Sequence, residues 1–240
     1  MSSFPDPDIQ SAPAVRAGTC PVPARPARVV AGAALLLLLI TWQVSAHGPL
    51  ARVDERLSEA VIGPGRLSGL LADLGSVPVA VPVLALVLVY AASQARRFGA
   101  DRWWLPSLAA AVCMAAVPVL VVPFKELIAR SGPMASGPGS GTGFYPSGHT
   151  ATAAVAYGSA ALVLWPWLRS PYARRELLVV CVVLNLGVGI GLVRQGFHWL
   201  LDVLASWCLC AMLLTGLAVL LGRSGRRTPS EAPGSPAGPG

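Results

Sequence analysis

The apolar residues of this chain gather in long blocks, not in the alternating or one-sided patterns of a water-soluble domain. Six blocks stand out, at roughly 29–46, 76–93, 104–123, 148–168, 177–193 and 199–221, each near the ~20 residues a helix needs to cross the hydrocarbon core. Backbone N–H and C=O groups in lipid must be paired within the segment, so the blocks predict helices rather than open strands. The block at 76–93 carries Pro78 and Pro82, which a helix tolerates near its start. Between the first two blocks, Ala51 to Leu74 places apolar residues at roughly helical spacing among charges. That pattern fits a short helix on the membrane surface and equally a solvated loop. The expected fold class is all-α, a polytopic bundle of six transmembrane helices.

Composition sharpens this picture. Hydrophobic residues make up 54% of the 240 positions and charged residues 12%, too little charge for a fully wetted surface. Residues 1–27 and 223–240 are rich in Pro, Ala, Ser and Gly; they read as disordered cytoplasmic tails flanking a membrane domain at 28–222. No cleavable signal of the usual form precedes the first block. The formal net charge of +7 does not point to nucleic acid, because the basic residues form short clusters between apolar blocks. With the N-terminus inside, only Arg52, Arg56, Arg66, Lys125, Arg130 and Arg194 of the 18 Lys and Arg residues fall outside. Positive charge therefore favours six spans with both ends cytoplasmic. Trp103, Trp104, Trp165, Trp167 and Trp199 fall at predicted span ends and read as an aromatic belt. Four of the five cysteines lie in apolar blocks, so neither a disulfide nor a zinc site is expected. His47 stands alone after the first block and reads as interfacial.

Three polar stretches interrupt this background: Lys125 to Pro133, Tyr145 to His149, and Arg194 to Asp202. In the six-span layout all three fall on the outer side. Ionisable residues at such places are functional candidates by default. His198 and Asp202 are four apart and share a helix face if a helix begins there. A carboxylate on one ring nitrogen sets the tautomer and leaves the other nitrogen to attack. His149, at the start of the fourth span, is placed to protonate a leaving group. Ser147 and the backbone around Gly148 lie at a helix N-terminus, which suits an anion, and Ser147 is also a natural N-cap. Lys125 is the only lysine in the chain. The Gly-rich run from Ser136 to Gly143 lacks the lysine and strand–helix setting of a nucleotide-binding loop and reads as a flexible cover over the site.

Lys125 with Pro133, Pro146-Ser147-Gly148-His149, and His198 with Asp202 together resemble the three signature motifs of the type-2 phosphatidic acid phosphatase family, which shares its site plan with vanadium haloperoxidases. The resemblance is close over about 100–220. It implies metal-independent hydrolysis of a phosphate ester through a phosphohistidine on His198, with His149 as acid and base and Asp202 orienting the nucleophile. It also implies phosphate binding by Lys125, Ser147 and Gly148. Two positions depart from the pattern. Gly132 stands where the first motif has arginine, and Gly191-Leu192 stand where the third has Ser-Arg. Arg130 and Arg194 are the nearest substitutes, although Arg194 projects about 200° from Leu192 on a regular helix.

The expected function is therefore a membrane phosphatase acting on a phosphatidic-acid-type or isoprenyl (di)phosphate lipid at the outer face, with no cofactor. Ala-, Arg-, Gly- and Pro-rich usage suggests a bacterial plasma membrane. The altered arginine positions raise the alternative of a weak or inactive lipid-phosphate binder. A transporter is disfavoured, because the ionisable residues gather at one interface instead of mid-membrane. The substrate lipid and the oligomeric state are not legible.

Overall fold

A computed structural model describes residues 21–133 and 143–224. The run from Ser136 to Thr142 and most of the two expected tails lie outside the described residues. The described part contains eight α-helices: α1 (Pro26–Ser45), α2 (Pro49–Val61), α3 (Arg66–Asp73), α4 (Val77–Arg97), α5 (Leu105–Ile128), α6 (Gly148–Leu164), α7 (Pro171–Arg194) and α8 (Leu200–Ser224). Among these, α1, α4, α5, α7 and α8 are long and apolar enough to cross a membrane. Their outward faces leave Leu35, Leu38, Leu86, Val89 and Val119 at 68–72% exposure, an apolar surface suited to lipid.

The fourth expected span is shorter than its sequence block. Helix α6 has 17 residues and passes into a 3₁₀ turn at Trp165–Trp167. It is the centre of the bundle, packing against α4, α5, α7 and α8, and nearly every residue from Thr150 to Val163 is buried. Its small residues make that possible, because Ala, Gly, Ser and Thr let neighbouring backbones approach. At Gly158 a Cβ would lie 2.5 Å from a Leu214 methyl. Opposite the site, Arg96 lies over Trp103, Arg174 over Trp165, and Phe98 stacks on Trp167. The basic clusters and most of the expected aromatic belt therefore share one end of the bundle.

The segment 51–74 resolves as helix, in two pieces rather than one. Helix α2 carries two faces of unusual sense. Leu50, Val53, Leu57 and Val61 point outward and are 41–56% exposed. Ala51, Asp54 and Ser58 point into the bundle and are buried. Helix α3 lies against α7, and the contact depends on Gly191, where a Cβ would come within 2.6 Å of the Ala72 nitrogen and 2.8 Å of the Ser68 oxygen. The N-terminal stretch is packed earlier than expected: Val22 lies over Gly222, and Pro26 already opens α1.

Candidate active site

The end of α5 sets the first polar stretch. Pro118 and Pro123 lie inside this helix, where membrane helices tolerate them. The helix stops at Ala129, which takes a left-handed backbone (φ 46°) with its N–H on the Lys125 carbonyl. A non-glycine residue pays about 1–2 kcal/mol for that conformation. The reversal it produces turns Arg130 inward, where it is 8% exposed. The Arg130 carbonyl then accepts the N–H groups of both Gly143 and Phe144 at 3.1 Å. Gly143 returns its own carbonyl to the Lys125 ammonium at 2.6 Å. Lys125 lies against the start of α6, its Cε 3.9 Å from where a Gly148 Cβ would sit.

The second stretch caps α6. The Ser147 hydroxyl accepts the Thr150 N–H at 3.3 Å and the Thr150 hydroxyl at 3.0 Å, the N-cap geometry expected for serine. Ser147 itself is fully buried. Tyr145, joined to Pro146 by a cis peptide bond, is buried and its hydroxyl meets Thr41 of α1 at 2.7 Å; burial pushes the Tyr145 phenol up to about 12. His149, in the first turn of α6, is exposed and within electrostatic range of His198 and Lys125.

The third stretch is bolted to the second. The Ser147 N–H donates to the Asp202 carbonyl at 3.2 Å. One turn on, the Ser206 hydroxyl donates to the carbonyls of Ser147 (2.8 Å) and Asp202 (2.9 Å). A further turn on, the Cys210 thiol reaches the Ala151 carbonyl at 3.6 Å. Positions four apart on α8 thus meet positions four apart on α6, so the two helices keep a common register.

His198 precedes α8 by two residues, and its Nδ1 lies 3.4 Å from Asp202 Oδ2. Asp202 is fully buried, with both oxygens engaged. Its Oδ2 also accepts the Trp199 N–H at 3.1 Å, and its Oδ1 accepts Arg130 Nη1 at 2.6 Å. The Phe144 ring meets the His198 ring edge-on at 5.8 Å.

Arg130, expected as a phosphate ligand, is paired with carboxylates. Its Nη1 is held by Asp202, and its Nη2 by Asp54 at 2.9 Å and Glu55 at 3.3 Å. The guanidinium also lies 5.6 Å from the Trp199 ring. Burial works against its charge, but Asp202 and Asp54 outweigh it and hold Arg130 above its ordinary pKa. Asp54 is pulled both ways; burial raises its carboxyl above the usual range against the opposing pull of Arg130 and the Leu201 N–H.

Arg194 is exposed. Its Nη2 lies 3.2 Å from where a Gly63 Cβ would be, against the linker between α2 and α3. Its carbonyl accepts the Gly63 N–H, and the neighbouring Gln195 amide donates to the Gly65 carbonyl. Gly132 and Leu192 have a physical account. The Phe144 ring fills the space beside Gly132, 2.6 Å from its Cβ position, and Leu192 is fully buried in the core around α6.

Four residues escaped the sequence reading. Asp54 lies in the charged segment between the first two apolar blocks, yet its Oδ1 accepts the Leu201 N–H at 3.0 Å, and Ser58 accepts the Leu200 N–H at 3.2 Å. Together they cap the start of α8. The only signal was the small and polar spacing of Ala51, Asp54 and Ser58 at i, i+3 and i+7. Ser206 gave none, sitting within an apolar block. Trp199 does not join the aromatic belt; it is 6% exposed and its indole N–H donates to the Ser131 carbonyl at 2.8 Å.

The family model of the PAP2 superfamily matches residues 106–226. Comparison with curated proteins gave no match. Among solved structures, the chain matches the crystal structure of a transmembrane PAP2-type phosphatidylglycerolphosphate phosphatase from Bacillus subtilis. The TM-score is 0.65 at 22% identity, over 85% of this chain and 98% of that one. At that identity the likeness is one of fold. The matched region holds all three polar stretches that converge on His198, and the chain is a multi-pass membrane protein of the PAP2 superfamily.

Proposed function

We propose that this protein is a phosphatase that hydrolyses the phosphate of a membrane lipid through a phosphohistidine on His198. The observation that carries the reading is the His198–Asp202 pair: a fully buried carboxylate 3.4 Å from Nδ1. With a proton held on Nδ1 facing Asp202, the Nε2 lone pair is available for attack on phosphorus. As the N–P bond forms, the P–O bond to the lipid breaks, and the leaving oxygen takes a proton from His149. His149 then removes a proton from water, whose oxygen attacks phosphorus; the P–Nε2 bond breaks, its electron pair returns to His198, and inorganic phosphate leaves.

The phosphoryl oxygens are held by Lys125 and the first N–H groups of α6, which lack intrahelical acceptors. Ser147 shapes that terminus as its cap, and Gly148 lets backbone and Lys125 approach. Arg194 stays a candidate for the rim only, where its charge faces the α2–α3 linker. We place six spans across the bilayer, α6 joining the five longer helices as the fourth in chain order, and the site on the outer side. The basic Arg96, Arg97, Arg174 and Arg175 lie toward the other end of these helices, which supports that orientation.

The test is phosphate release by detergent-purified protein with chelator present. The panel is phosphatidic acid, lysophosphatidic acid, an isoprenyl diphosphate and phosphatidylglycerolphosphate, the lipid named for the structural neighbour. Turnover that is lost in His198→Ala is the expected result. The alternative of a lipid-phosphate binder draws on one observation: Arg130 is held by carboxylates and Leu192 is buried, so the cradle has fewer cations. It predicts binding of these lipids without release by folded protein.

A further inference from the structure

Helix α2 lies outside the region matched by the family model, yet it reaches the carboxylate that serves the nucleophile. Asp54 projects from the buried face of α2 and holds Arg130 Nη2 at 2.9 Å, while Nη1 of the same guanidinium holds Asp202 at 2.6 Å. The side chains of all three are at most 7% exposed. The other oxygen of Asp54 takes the Leu201 N–H, so one side chain grips both the first turn of α8 and the cation that grips Asp202.

We propose that Asp54 is a positioning residue of the reaction, acting through Arg130 to lock the Asp202 carboxylate in the orientation that presents Nδ1 of His198 with an acceptor. The inference rests on His198 as nucleophile. The physical reason is geometric. Asp202 has two oxygens and at least three donors: Arg130 Nη1, the Trp199 N–H and His198 Nδ1. Arg130 on Oδ1 leaves Oδ2 to the other two. A planar guanidinium fixes that choice only if its own orientation is fixed, and Asp54 on the second nitrogen does this. Released from Asp54, Arg130 Nη2 keeps only Glu55, a longer contact at 3.3 Å to a side chain that is 39% exposed; the guanidinium is then free to tilt and the Asp202 carboxylate to rotate off His198.

Asp54→Asn makes a narrow lesion. The amide oxygen keeps the Leu201 N–H, and the amide nitrogen faces Arg130, so the cap survives while the clamp is lost. The expected result is a fall in kcat of about tenfold or more, the scale of one charge-assisted hydrogen bond, with KM within about twofold, because the lesion touches no phosphate ligand. Arg130→Lys should do the same, since an ammonium cannot span two carboxylates in a fixed plane. It serves as the second variant should Asp54→Asn fail to fold.

Each variant is compared at equal folded fraction, and then again in the Asp202→Asn background. If Asp54 acts through Asp202, the second substitution adds little to the first. An undiminished kcat in folded Asp54→Asn, a rise in KM as the main effect, or losses that multiply with those of Asp202→Asn would overturn the inference. Turnover surviving in His198→Ala would overturn the functional reading instead, so the two failures are distinguishable.

Discussion

The substitution Asp202→Asn separates charge and tautomer from shape, because asparagine fits the same space. The carboxylate is fully buried and receives Arg130 at 2.6 Å on one oxygen, with the Trp199 N–H at 3.1 Å and His198 Nδ1 at 3.4 Å on the other. An amide offers one oxygen and one NH₂. If the oxygen stays on Arg130, the NH₂ faces the Trp199 N–H and can serve His198 only by donating to Nδ1. The ring proton then sits on Nε2, and the attacking lone pair is gone. If the amide flips, the NH₂ faces the guanidinium, donor against cation. Neither rotamer satisfies all three partners. Losing one charge-assisted bond while Asp54 and Glu55 still balance Arg130 should cost about 2–3 kcal/mol of stability. The wrong tautomer should lower kcat by roughly 10⁴-fold, or about 5 kcal/mol of barrier. The assay is single-turnover phosphate release at a folded fraction checked by tryptophan fluorescence. Activity within about tenfold of wild type, at equal folding, would refute the tautomer argument.

Other consequences follow from the packing. Gly191→Ser restores the hydroxyl residue of the family pattern, yet its Cβ meets the α3 backbone at 2.6–2.8 Å. It should destabilise the protein by about 1–3 kcal/mol despite the better helix propensity of serine, read as a lower unfolding temperature in detergent. Ser206→Ala removes the donor shared by the Ser147 and Asp202 carbonyls. It should cost about 1 kcal/mol and lower kcat measurably, because the α6 cap and His198 lose a common tether; phosphate-release kinetics at matched folded fraction check this.

What could be read without a structure was whatever chemistry keeps local. The apolar blocks marked the helices because lipid demands continuous hydrophobicity. Their ends gathered the polar stretches at one side because alternate loops share a side. His198 with Asp202, and Ser147 with Gly148 and His149, are legible because a tautomer-setting carboxylate one turn away and a capped N-terminus are short-range arrangements. Lys125 stood out by being alone. The roles of the arginines were not legible in this way. Arg130 is 76 residues from Asp54 and 72 from Asp202, and no spacing rule connects them.

Sequence alone therefore determined the helical membrane class, the three converging stretches and the histidine–carboxylate pair, since each depends on periodicity or on neighbours within a turn. Tertiary structure alone decided that Arg130 lies between Asp54 and Asp202, and that Arg194 faces the α2–α3 linker. It also decided that Trp199 belongs to the site and that α2 points Asp54 inward with its leucines outward. Each of these turns on which group lies opposite a side chain across the bundle. A buried charge takes whatever partner the packing sets against it, and the packing is a property of all the helices at once.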